Sequence, residues 1–151
     1  MFKLIARGIA VLGLAALPLA PIHAFAGGGG GGGAGTGITI TLPASADLSN
    51  RVVANVPVTV QCSPLPSDFA FGGLTVTTEQ AFGRDLAQGY GYTNLDPSTC
   101  DGSPHVVSVP VSAWSLAYHG GPAMASAWAQ ACDTLYDCIG GSAGPQTIKL
   151  H

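Results

Sequence analysis

The strongest constraint in this sequence is an alternation of period two that runs through most of the chain after residue 37. Ile38, Ile40 and Leu42 alternate with Thr39 and Thr41, and Ala54, Val56, Val58, Val60 and Cys62 alternate with Asn55, Pro57, Thr59 and Gln61. Successive side chains of a strand point to opposite faces, so each run describes a strand with one face buried. Pro57 has no N–H to give to a ladder and marks an edge or a bulge. Leu74, Val76 and Thr78 predict a third strand, Leu86 to Tyr92 a fourth, His105 to Ala113 a fifth, and Gln146 to Leu150 the last.

Residues 123–132 carry two competing signals. Alanine favours helix by propensity, but Ala123, Ala125, Ala127, Ala129 and Ala131 occupy every second position. Met124, Trp128 and Cys132 then share the other face, which gives both faces a use in a packed strand. Period two predicts a strand here, the sixth of seven. Seven strands separated by Pro, Gly, Asp and Asn predict an all-β domain over residues 38–151, an immunoglobulin-like two-sheet sandwich with two disulfides.

The first 26 residues have a different character. Lys3 and Arg7 precede an apolar run from Ile9 to Leu19, followed by Ala24-Phe25-Ala26, the pattern of a secretory signal cut after Ala26. The run is short for a membrane span, no second apolar stretch of spanning length follows, and Lys149-Leu150-His151 is not an anchor-like tail, so the expected product is secreted or held at the cell surface. Residues 27–37 form a Gly-rich arm, with seven consecutive glycines from Gly27 to Gly33. As a random coil its eleven residues would span on the order of 18 Å, a tether rather than a phosphate loop. Without the signal, Arg51, Arg84 and Lys149 face eight acids, a net charge of −5. That balance excludes a basic patch for nucleic acid and disfavours anionic lipid.

Cys62, Cys100, Cys132 and Cys138 all follow the cleavage site. An even number of cysteines in an exported chain predicts disulfides, and the spacing does not suit a zinc ribbon. If the second and fifth strands run antiparallel in one sheet, the end of the strand at Cys62 lies beside the loop entering His105. That placement favours Cys62–Cys100, with Cys132–Cys138 clipping the last hairpin. The rival pairing, Cys62–Cys132 with Cys100–Cys138, would bridge two sheets, but no Trp follows Cys62 closely and no Tyr lies two residues before Cys132.

The run Val56-Pro57-Val58-Thr59-Val60-Gln61-Cys62-Ser63-Pro64, then Thr99-Cys100-Asp101-Gly102-Ser103-Pro104-His105 and Gly121-Pro122-Ala123 with its alternating alanines, resembles small exported proteins of high-GC Gram-positive bacteria. The likeness covers most of residues 52–138 and implies fold and compartment without transferring a catalytic residue. The hairpin Cys132-Asp133-Thr134-Leu135-Tyr136-Asp137-Cys138, followed by Gly140-Gly141, is similar to the second disulfide hairpin of the enediyne antibiotic carrier proteins, which are exported immunoglobulin-like sandwiches. Their first disulfide closes a much shorter loop, so the binding role is not carried over.

The polar residues predict no catalytic group, cofactor or metal site. His105, His119 and His151 are widely separated and form no i, i+2 or i, i+4 pair. Gly102-Ser103-Pro104 is a turn rather than a nucleophile elbow, and aspartates beside turns, such as Asp96, Asp101, Asp133 and Asp137, characteristically accept backbone N–H groups. Tyr90, Tyr92, Trp114, Tyr118, Trp128 and Tyr136 are candidates to line a groove for an apolar ligand or a sugar, since flat rings bury area while their polar edges find partners. Against that, large aromatics usually belong to a core. Ile38-Thr39-Ile40-Thr41-Leu42 behind a flexible arm suggests self-association, by donating this strand to a neighbouring copy as a filament subunit. The leading expectation is a non-enzymatic, structural or binding module outside the cytoplasm, with a small-molecule carrier as the alternative.

Overall fold

The computed structural model describes residues 37–65 and 67–151, so the signal segment and residues 27–36 of the arm lie outside the described residues. Eight strands follow in order: β1 (Ile38–Thr41), β2 (Ser45–Ser49), β3 (Val53–Cys62), β4 (Phe69–Phe82), β5 (Asp85–Asn94), β6 (His105–Ala113), β7 (Gly121–Asp133) and β8 (Cys138–Leu150). A single 3-10 turn over Pro97–Thr99 precedes β6. Asp96 caps that turn, accepting the N–H of Ser98 at 2.9 Å.

The strands do not form the two-sheet sandwich that the sequence predicts. They close into one barrel in the order β2-β8-β7-β4-β5-β6-β3, with β3 returning to β2, and β1 adds to β3 beyond β2. The closure is visible in the register. β3 pairs with β6 over eight residues from Val53↔Ser112 to Val60↔His105, while its other edge holds β2 at Asp47↔Asn55 and β1 at Ile38↔Cys62. β2 in turn meets β8 in parallel at Ser45↔Lys149 and Ala46↔Leu150. With every barrel strand paired on both sides, no gap separates one sheet from another, which is the closed solution to the problem of exposed strand edges. The immunoglobulin-like plan implied by the carrier-protein likeness is overturned by the same pairings.

Within the barrel, β4, β5 and β6 follow one another as neighbours, and β7 returns beside β4, a Greek-key arrangement. The β4–β5 hairpin pairs Phe82 with Asp85 across two turn residues, and Gly83 takes the left-handed position at φ 64°.

Side-chain size explains how so narrow a barrel is filled. The alternating alanines of β7 all point inward and are buried, beside Leu74, Val76 and Thr78 of β4. On the opposite side of the ring, β3 and β6 contribute Val56, Val58, Val60, Val109 and Val111, each fully buried. Small residues facing branched ones let side chains interdigitate without voids. The strand reading of residues 123–132 therefore holds. Ile148 and Leu150 of β8, Ile38 and Ile40 of β1, and Leu42 complete the core.

Candidate functional site

Strand alternation that turns alanine inward on β7 must turn Met124, Ser126, Trp128 and Gln130 outward. The register then sets their neighbours. Trp128 pairs with Thr75 on β4, and Thr75 pairs with Tyr92 on β5, so Tyr92, Thr75 and Trp128 form one outward row. The next row is Tyr90, Thr77 and Ser126, and on the other side lies Asn94, Gly73 and Gln130. Trp114 joins the face at its β6 side, because its N–H donates to the Gln88 carbonyl at 3.0 Å and so continues the β5–β6 register past Gly89↔Ala113. Tyr90, Tyr92, Trp114 and Trp128 are 52, 52, 67 and 51% exposed.

Four of the six aromatics singled out in the sequence thus share the outer face of β6, β5, β4 and β7, where they make a platform on a convex wall rather than a groove. The other two are elsewhere. Tyr118 is fully buried inside the barrel, where its hydroxyl is hydrogen-bonded to Thr78. Tyr136 projects from the β7–β8 hairpin at 79% exposure. Residues 38–42, the candidate for self-association, are occupied within their own chain, where Ile38 to Thr41 pair with Cys62 to Thr59.

Two further features of the platform escape sequence reasoning. Phe71 is exposed on β4 in line with Gly73 and Thr75, ahead of a Gly72-Gly73 pair that reads as a turn. Gly73 itself lies beside the hydroxyl end of Tyr92: a Cβ there would sit 2.7 Å from the Tyr92 Cε2 and hydroxyl. The Tyr92 hydroxyl donates to the Asn94 carboxamide oxygen at 2.9 Å. The hydroxyl end of the ring is therefore tied to Asn94 beside Gly73, while Tyr92 as a whole is half exposed.

The electrostatics of the platform are simple. The three rows contain hydroxyls and carboxamides but no carboxylate, ammonium or guanidinium. Glu79 stands at the margin, where its Oε1 accepts from the Gln88 amide at 3.2 Å. Among the described residues, no group of three or more His, Cys, Asp or Glu side chains is placed to hold a metal ion.

The remaining polar clusters serve the scaffold. The Gln80 carboxamide donates to the His119 carbonyl at 2.7 Å and accepts the His119 N–H at 2.8 Å, while Arg51 donates through Nε to the Tyr118 carbonyl at 3.2 Å and meets the His119 ring. Together they hold Tyr118 as a plug in the barrel end. Asp101 accepts from the Ser103 N–H at 2.7 Å and pairs with His105 at 2.9 Å; the imidazole contact first, then the N–H, lowers the carboxyl pKa. Asp133 takes the N–H groups of Leu135 and Asp137, both at 2.9 Å. These aspartates organise turns, as their positions in the sequence suggest. A shallow cleft of about 320 Å³ beside β1, lined by Gly37, Ile38, Thr39, Gln61, Ser63 and Gly102, contains no aromatic ring.

Both disulfides join the partners favoured by the strand placement: Cys62 to Cys100 and Cys132 to Cys138, with Cα atoms 4.7 and 4.1 Å apart. The described residues contain no helix long and apolar enough to cross a membrane. Comparison with protein-family models, with curated proteins and with solved structures yields no match to this chain.

Proposed function

We propose that the protein is an exported, non-enzymatic module that binds through the outer face of β6, β5, β4 and β7. The observation that carries this reading is the gathering of Tyr90, Tyr92, Trp114 and Trp128, all about half exposed or more, on one continuous wall. Clustered exposed apolar area of this kind marks interaction surfaces far more often than scattered single residues do. Tyr and Trp also supply large contact area at little cost in side-chain entropy, because only two χ angles must be fixed.

Export rests on Lys3, Arg7, the apolar run and Ala24-Phe25-Ala26, together with two disulfides compatible with an oxidising compartment. Membership among the small exported proteins of high-GC Gram-positive bacteria is part of the same proposal and rests on the motifs around Cys62 and Cys100. The carrier alternative is less well supported. A carrier of apolar small molecules uses a concave pocket, whereas the barrel axis is filled by Tyr118, Leu74 and the valines of β3 and β6.

Both tryptophans of the chain lie on the proposed surface, so tryptophan emission, excited beyond the tyrosine absorption band, reports on it alone. Titration with a soluble polysaccharide series and an apolar dye is expected to give a saturable emission change with at least one probe, absent from Trp128→Ala. An emission spectrum that ignores every probe would overturn the reading.

A further inference from the structure

We propose that the ligand of this face is an uncharged polysaccharide, which lies across the strands on the Tyr92–Thr75–Trp128 row. The inference rests on the binding reading above and deepens it by naming the ligand's chemistry.

The aromatic rings are presented to solvent. A pyranose ring stacks on an aromatic through its C–H face, so the aromatic must offer a face rather than an edge. Tyr92 is half exposed, and its hydroxyl end is located by the hydrogen bond to Asn94 and by the room that Gly73 leaves without a Cβ. The ring is positioned before any ligand arrives, which reduces the entropy lost on binding. Trp128 stands two strands away in the same row, about 10 Å from Tyr92 by ordinary strand spacing. That spacing lets two alternate sugars of one extended chain meet both rings.

Uncharged polar side chains lie between and beside the rings. Thr75 separates Tyr92 from Trp128, and Thr77, Ser126, Gln130 and Asn94 flank them. Hydroxyls and carboxamides both donate and accept hydrogen bonds, matching a ligand made of hydroxyls. No cation is present in the three rows to attract an anionic glycan, and a chain with a net charge of −5 without its leader would repel one.

The face is the outside of a closed barrel, so a second copy of the same face would meet it convex to convex, which limits the area the two can bury. A linear polymer has no such difficulty, because it can follow the curvature.

Affinity electrophoresis through gels containing hydroxyethyl cellulose, β-1,3-glucan, xylan, mannan or polygalacturonate tests the proposal, with tryptophan emission recorded for the soluble forms. Retardation is expected in at least one of the four neutral polysaccharides, reduced at least tenfold in apparent affinity by Tyr92→Ala and by Trp128→Ala. Tyr136→Ala, on the distant hairpin, should leave binding unchanged. Gly73→Ala is the sharper probe, since the neighbour it displaces is the end of an exposed side chain rather than backbone. It should keep the melting temperature close to that of the parent and still weaken retardation by tilting the Tyr92 ring.

Four outcomes would overturn the proposal. Retardation by polygalacturonate alone, or an emission change with 1-anilinonaphthalene-8-sulfonate alone, would replace the ligand class while leaving the face as a binding surface. A concentration-dependent dimer in sedimentation velocity, lost in Tyr92→Ala, would assign the face to a second copy. No response to any probe would remove both the ligand and the binding reading.

Discussion

Gly89 and Tyr118 show how single atoms set the geometry of the barrel end. A methyl group at Gly89 would overlap the Tyr118 hydroxyl and come within 3.0 Å of the Ser112 carbonyl. Since the ring is fully buried and the other neighbour is backbone, neither yields easily, and Gly89→Ala is expected to cost about 3 kcal/mol, the upper range for overpacking a core. Chemical denaturation of the variant checks this. Burial raises the Tyr118 pKa above its usual value, more than the hydrogen bond with Thr78 lowers it. The sign of the pH effect follows: the unfolded chain releases this proton first, so stability from the buried neutral phenol is complete below pH ~10 and is lost as pH rises from there through the folded-state value. Melting curves between pH 8 and 11.5 should show a decline above pH ~10 that is shallower in Tyr118→Phe. The same variant should lose about 1–3 kcal/mol at neutral pH, because the Thr78 hydroxyl, 1% exposed, is left without its partner.

At the scale of elements, glycines that look like turns are places where strands pass close to other groups. Gly141 lies in β8 where β1 crosses, and a Cβ there would run into the Ile38 carbonyl. Backbone cannot swing aside as a side chain can, so Gly141→Ala is expected to push β1 from its place. Amide exchange should then lose protection at Ile38 to Thr41 at least tenfold more than at Val56 to Val60. Equal loss in both strands would mean that β1 is not separable from the barrel. The same glycines explain what the sequence conceals. Gly72-Gly73 hides the start of a 14-residue β4, and Gly140 to Gly144 hide most of a 13-residue β8, because a missing side chain reads as a break. β2 escapes for another reason: Ser-Ala-Asp-Leu-Ser buries only Ala46 fully and carries little apolar signal. By contrast, the alternations at Val56 to Val60 and Ala123 to Ala131 state their burial outright, and the turn aspartates state their hydrogen bonds. The aromatic platform is half legible. Tyr90 and Tyr92, two apart, must share a face, but their meeting with Trp128 depends on β4 lying between β5 and β7. The closure that separates a barrel from a sandwich is not written in any one strand, since alternation reports that a face is buried and not which edges meet.

For the molecule as a whole, the two disulfides are unequal constraints. Cys62 and Cys100 are 38 residues apart, and the loop they close contains all of β4 and β5 and the turn at Pro97–Thr99; Cys132 and Cys138 are six apart and close a single hairpin. A cross-link acts largely by limiting the unfolded chain, and the loss of entropy grows with the logarithm of the loop. On that scale the longer link contributes about 4 kcal/mol and the shorter about 2 kcal/mol. The difference has a structural counterpart. Cys62 ends the strand that closes the ring against both β6 and the β1–β2 edge, so its link restrains the seam where the barrel joins itself. The hairpin at Cys132 is already held in place by Cys132↔Cys138 pairing and by the Asp133 carboxylate on two N–H groups. Cys62→Ser with Cys100→Ser should therefore lower denaturant stability by roughly twice as much as Cys132→Ser with Cys138→Ser. Equal losses would show that strain or residual structure in the unfolded chain, rather than loop length, decides the contribution of each link.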